Sequence, residues 1–100
     1  MSDDRVEADY QELQKLSNMM NQRADAIQQQ YQMLKAKEGE LLNGNWEGRG
    51  ADKFQAEMEG EVLPALQKLQ KALEMCSNAL GQVANTFRQS EEQASNLFKG

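Results

Sequence analysis

Starting at Val6 and stepping alternately four and three residues gives Val6, Tyr10, Leu13, Ser17, Met20, Ala24, Ile27, Tyr31, Leu34, Glu38 and Leu41, of which nine are apolar or aromatic. Every seventh residue of that path, Val6, Leu13, Met20, Ile27, Leu34 and Leu41, is apolar without a break. A mean period of 3.5 residues is the signature of one face of a long helix, and strand pairing has no use for it. Between the stripe positions lie Gln, Asn and charged residues, which suit the wet faces of that helix. Asp4 and Glu7 have the spacing of a capping box with Asp in the cap role. The first arm is therefore predicted to be a helix over about 4–42.

A second stripe begins at Val62 and runs through Leu66, Leu69, Leu73, Cys76, Leu80, Val83, Phe87, Ser90, Ala94 and Leu97, with Ser90 its sole polar member. Upstream, Phe54 and Met58 continue in steps of four, so the phase slips where Gly60 and Pro64 occur. Pro64 has no N–H to give the carbonyl of residue 60, and its ring presses on that turn. A kinked helix over about 51–97, bent near Pro64, is expected; the alternative is a break. Between the arms, residues 43–50 read Asn-Gly-Asn-Trp-Glu-Gly-Arg-Gly, a composition that makes a turn. The whole chain is then one all-α domain, a hairpin of two helices of roughly 40 residues, each about 60 Å long at 1.5 Å per residue. Composition agrees: Val6, Ile27, Val62, Val83 and Thr86 are the only β-branched residues, too few for a sheet.

Beside the stripes lie further apolar residues: Leu16, Met19 and Met33 on the first arm, and Met58, Ala65, Ala72 and Ala79 on the second. These faces are wider than one helix seam, and a two-helix hairpin has no second layer to cover them. Pairing of two hairpins into an antiparallel four-helix bundle is the expected solution. Leu13, Met20, Ile27, Leu34, Leu41, Leu66, Leu69, Leu73, Cys76, Leu80 and Val83 are the expected packing and dimer core. A homodimer and a heterodimer with a related chain fit such stripes equally well.

Several chemistries find no residues here. The chain has no His and one Cys, so Ser-His, Cys-His and His-metal arrangements cannot be built. Glu57 and Glu61 share a helix face with Glu59 nearby, and read more simply as a solvated face than as an acid-base or cation pair. No enzyme activity and no cofactor are expected. Eleven Lys and Arg against sixteen Asp and Glu, a net charge of −5, speak against nucleic-acid binding. No segment approaches the ~18 consecutive apolar residues of a membrane span, and the acidic start lacks the apolar region of an ordinary signal peptide. Acidic, Gln-rich polar faces also argue against stable insertion at a membrane surface.

Two features remain for recognition. Trp46 is a large aromatic in a polar turn, where it either closes the hairpin end or contacts another protein. Near the C-terminus, Phe87, Glu91, Ala94 and Phe98 follow steps of four, three and four, and Glu91 is the charged member of an otherwise apolar row.

A length of 100 residues, two matched helical arms and Trp46-Glu47-Gly48 in the turn together resemble the WXG family of type VII secretion substrates, the early-secreted-antigen-like proteins. The resemblance covers the whole chain. In that family the C-terminal helix carries Tyr-x-x-x-Asp/Glu, or in extended form hydrophobic-x-x-x-Asp/Glu-x-x-hydrophobic-x-x-x-hydrophobic. Phe87, Glu91, Ala94 and Phe98 match the extended form, with Phe87 where the narrower motif has Tyr.

The resemblance implies an antiparallel four-helix dimer, leaderless export from the bacterial cytoplasm in folded form, and a membrane-bound secretion ATPase as the recognising partner. It further implies a composite signal in which Trp46 and Gly48 of one chain neighbour Phe87 and Glu91 of the other. An intracellular helical adaptor, or a targeting chaperone for a larger client protein, is the alternative. Such an adaptor has no need of Trp46 or Glu91.

Overall fold

The computed structural model describes residues 2–99, with side chains over 5–97. The side chains of Asp4 and Phe98, named above, lie outside the described residues. Two long helical arms form a hairpin and contact each other, and no strand is found among the described residues. The first arm is α1, Ser2–Asn43. The second is continuous but composite: α2 spans Arg49–Glu57, a π-helical turn spans Met58–Val62, and α3 spans Leu63–Lys99.

The π turn lies where the stripe slips phase. There the N–H of Leu63 donates to the carbonyl of Met58, five residues back instead of four. Pro64 removes the next donor and crowds the preceding turn, and a π turn accommodates one extra residue without ending the helix. The second arm therefore runs through Pro64. It carries a widened turn in place of a break.

The extra residue rephases the second arm. Inward positions after Met58 fall at Leu63, Leu66, Gln70, Leu73, Ser77, Leu80, Ala84 and Phe87, all buried or half-buried. Leu66, Leu73, Leu80 and Phe87 belong to the expected stripe. The alternate members Val62, Leu69, Cys76 and Val83 turn outward, and Leu63, Gln70, Ser77 and Ala84 take the seam instead. On α1 the expected stripe faces inward from Val6 through Tyr10, Leu13, Ser17, Met20, Ala24 and Ile27 to Tyr31, all buried or half-buried, and Glu38 joins them; Leu34 and Leu41 of the expected core are exposed instead, and Gly39 and Leu42 beside them are half-buried.

The chain divides into two compact units. In one, Met1–Gln22 packs with Leu73–Gly100. Its most covered residues are small, namely Ser17, Ser77 and Ala84. Ser17 Oγ donates to the Ser77 carbonyl and Ser77 Oγ donates to the Ser17 carbonyl, each at 2.8 Å. Gly81 lies beside the same pair, and a Cβ added there would stand 3.7 Å from Ser17 Oγ. Small side chains let the two backbones approach closely enough for a hydroxyl to reach across.

The other unit, Arg23–Ala72, holds the turn and the π segment. Its core is Ala24, Ala51, Met58 and Leu63. Gln70 Nε2 donates to Gln28 Oε1 at 3.1 Å, at the edge of the seam.

Both seams are thin, and large apolar side chains remain outside them. Leu69, Met75, Val83 and Leu97 on α3 and Leu16, Met33 and Leu41 on α1 are exposed. These side chains are left uncovered within the two seams.

Candidate functional site

The turn in the Arg23–Ala72 unit is built by backbone geometry that few residues accept. Asn45 has φ 73°, in the left-handed region where Asn is tolerated. Gly48 has φ 102° and ψ −168°, a conformation open essentially to glycine alone. Its carbonyl receives the N–H of Asp52 at 3.0 Å, which starts α2. Helix α2 has no side-chain cap at Gly48, and Asp52 in its first turn offsets the positive end of the helix.

Between those two residues, Trp46 folds back on Phe54 of α2. Their ring centroids are 5.1 Å apart and the planes are tilted by 47°. Gly50 lies beneath the indole, where a Cβ would stand 3.8 Å from Trp46 Cζ2. The pairing fixes the ring without hiding it, since Trp46 remains 40% exposed. Of the two roles open to Trp46 from sequence, packing across the helix end uses only part of the ring. The rest is accessible surface.

In the other unit, Phe87, Glu91 and Ala94 follow one another along α3. Phe87 and Ala94 are half-buried and Glu91 is exposed. Phe98 belongs to the same helix, its side chain outside the described residues. Glu91 borders a shallow groove of about 240 Å³ lined by Val6, Glu7, Arg88, Glu91, Glu92 and Ser95. Helix α1 thus contributes Val6 and Glu7 to the surface around Glu91, a contribution that no motif on α3 announces.

Arg88 organises this groove. Its guanidinium carbon sits 4.7 Å from the centre of the Tyr10 ring, and Nε lies 3.6 Å from Glu92 Oε1. A hydrogen bond with the Tyr10 side chain, followed by the charge of Glu7, holds the guanidinium pKa above its usual value. Glu91 has no ion pair or hydrogen bond among the described residues, so its carboxylate is available to a partner.

With the Trp-x-Gly turn between two helical arms in view, comparison of the sequence with protein families decides the class. The WXG100 profile, described as proteins of 100 residues with WXG, matches residues 5–92. The chain belongs to the WXG100 family. The matched span includes the first arm from Arg5 onward, the Trp46-Glu47-Gly48 turn, Phe87 and Glu91. Comparison with curated proteins and with solved structures gives no match.

WXG100 proteins are small helical proteins associated with type VII secretion, and as a family they are non-enzymatic and pair with partners. This WXG100 chain is accordingly a small protein of the type VII secretion substrate kind. No helix among its described residues is long and apolar enough to cross a membrane.

Two features escaped the sequence reading. The reciprocal serine bond is silent because Ser17 and Ser77 register only as gaps or bystanders in an apolar count. The second is Glu38, which is 5% exposed and whose pKa is raised, first through Glu59 of the π turn. Glu38 was visible as a polar member of the first stripe, but its partner was not.

Proposed function

We propose that this WXG100 protein is exported as a folded dimer through a composite signal, read by a membrane-bound secretion ATPase. One half of the signal is the turn, Trp46 and Gly48. The other is the row Phe87, Glu91, Ala94 and Phe98 on the C-terminal helix. In an antiparallel pairing of two hairpins, the turn of one chain lies against the free helix ends of the other, so dimerisation assembles the surface.

The observation that carries this reading is the exposure of Trp46 although Phe54 is stacked on it. A turn that merely closed a helix end would gain most by covering an indole, whose burial is among the larger contributions a single side chain makes. The uncommitted carboxylate of Glu91 supplies charge complementarity for a basic residue of the reader. Dimerisation is favoured by the outward row Val62, Leu69, Cys76 and Val83, an apolar face suited to a second copy or a related chain. Homodimer pairing is the simpler case because one stripe then serves both sides.

The test is Trp46→Ala. Export falls while helical content and dimer mass stay near those of the unmodified protein. Unchanged export would make the turn purely structural and would remove Trp46 from the signal.

A further inference from the structure

Arg88 is the one basic residue on the second arm between Lys71 and Lys99, and it precedes Glu91 by three positions. Side chains three and four apart on a helix are neighbours, so its guanidinium is within reach of both Glu91 and Glu92. It meets Glu92, with Nε 3.6 Å from Oε1, and Glu91 is left without an ion pair among the described residues.

What directs the cation comes from the other arm. The guanidinium carbon stands 4.7 Å from the centre of the Tyr10 ring, inside the range over which an aromatic face attracts a cation. Tyr10 and Arg88 belong to the same compact unit, where Tyr10 is half-buried and Arg88 is exposed. The Tyr10 hydroxyl also receives Gln14 Nε2 at 3.5 Å. The ring is thus the fixed member of the pair, and the long arginine side chain is the one that moves to it. Glu7, three residues before Tyr10, pulls the same way: the guanidinium pKa is raised first through Tyr10 and next by the charge of Glu7. Exposed ion pairs are individually weak, so one ring is enough to decide which of them forms.

Resting on the export signal proposed above, we propose that Tyr10 is a positioning residue of that signal: its ring holds Arg88 off Glu91, so that the Glu91 carboxylate meets the secretion ATPase as an uncompensated anion. The first helix then takes part in a signal whose own residues lie on the turn and on α3. The contact exists only while the two arms are packed. A chain whose arms have separated offers Glu91 beside a free Arg88, so recognition of the carboxylate is tied to the folded state.

The test compares the share of protein in the culture supernatant of its own host for the unmodified chain and four variants, with the helical signal of each purified chain as the check on folding. Tyr10→Leu keeps an apolar side chain in the seam and removes the aromatic face; its export falls several-fold with helical signal retained. Adding Arg88→Gln to Tyr10→Leu removes the competing cation and returns export toward the unmodified level, whereas a purely structural loss at Tyr10 would persist in the double variant. Ser95→Arg, at an exposed position lining the same groove, gives Glu91 a cation at the favoured i,i+4 spacing without touching the seam, and lowers export as well. Undiminished export of Tyr10→Leu or of Ser95→Arg, or a double variant no better exported than Tyr10→Leu alone, would overturn the proposal. Glu91→Ala is the separate arm: its export at the unmodified level would remove Glu91 from the signal and overturn the reading on which the proposal rests.

Discussion

Ser17 and Ser77 each donate a hydroxyl to the other's backbone carbonyl, at 2.8 Å in both directions across the two arms. With both protons so used, their Oγ atoms, 3.2 Å apart, meet as two acceptors. Sixty residues of chain separate the two serines, and the pair sets one register between α1 and α3. A slip of one helical turn would leave both hydroxyls buried against apolar neighbours, where an unsatisfied hydroxyl is unfavourable by about 1–3 kcal/mol. Apolar stripes alone tolerate such slips.

Ser17→Ala should destabilise the protein by about 1 kcal/mol, the usual net worth of one intramolecular hydrogen bond. Ser17→Leu should do more damage, about 1–3 kcal/mol or beyond, because the helices are too close to admit three more carbons. Urea unfolding followed by helical signal measures both. If Leu were the milder change, the close approach would be of no consequence to stability.

The backbone of the turn separates two glycines with opposite responses. Gly48→Ala places a side chain at φ 102° and ψ −168°, a strain of about 1–3 kcal/mol. Gly39→Ala falls inside α1, where an added Cβ meets nothing within 4 Å, and should stabilise by about 0.5–1 kcal/mol through helix propensity. Thermal midpoints of the two variants should lie on either side of the unmodified protein.

Phe54 holds Trp46 in place, so Phe54→Ala should free the indole. The loss of the ring pair is worth about 0.5–1.5 kcal/mol beyond the area it buries. Trp46 emission should move to longer wavelength while α1 and α3 keep their helical signal. Emission unchanged from the unmodified protein would mean that the ring is positioned by something other than Phe54.

The outward row on α3 predicts the oligomeric state. Leu69→Asp and Val83→Asp place a charge on an exposed apolar face and leave the seam untouched. Light scattering should show the mass of the double variant fall to that of one chain, 11.3 kDa, with helicity retained up to the loss of mutual packing. A mass equal to that of the unmodified protein would remove this face from the interface.

How much of this could be read from the residues depends on where regular phase holds. Along α1 the step of four and three holds from Val6 to Tyr31, so the inward face there, including Ser17, follows from periodicity; beyond it Glu38 stays inward while Leu34 and Leu41 are exposed. The turn is likewise legible, because Asn and Gly crowd residues 43–50 and backbone geometry at Asn45 and Gly48 uses them. In the second arm one extra residue enters at the π turn. The seam positions that follow include Gln70, Ser77 and Ala84, which an apolar count passes over in favour of Leu69, Cys76 and Val83. Hydrophobicity says which residues avoid water and leaves open whether the same chain or another one covers them.

The two recognition elements divide in the same way. The Trp-x-Gly tripeptide and the spacing of Phe87, Glu91 and Ala94 are local patterns and stand out in a linear text. The surroundings of Glu91 do not, since Val6, Glu7 and the Tyr10 ring that holds Arg88 come from the opposite end of the chain.

The most direct test of the account is the share of the protein in culture supernatant and in cells of its own host, with the type VII secretion ATPase intact or deleted, beside a Glu91→Ala variant. The account predicts that deletion and substitution each remove the protein from the supernatant while it persists, folded, in the cells. Protein retained in the cells under all conditions would contradict export, and equal release of the Glu91→Ala variant would contradict the composite signal.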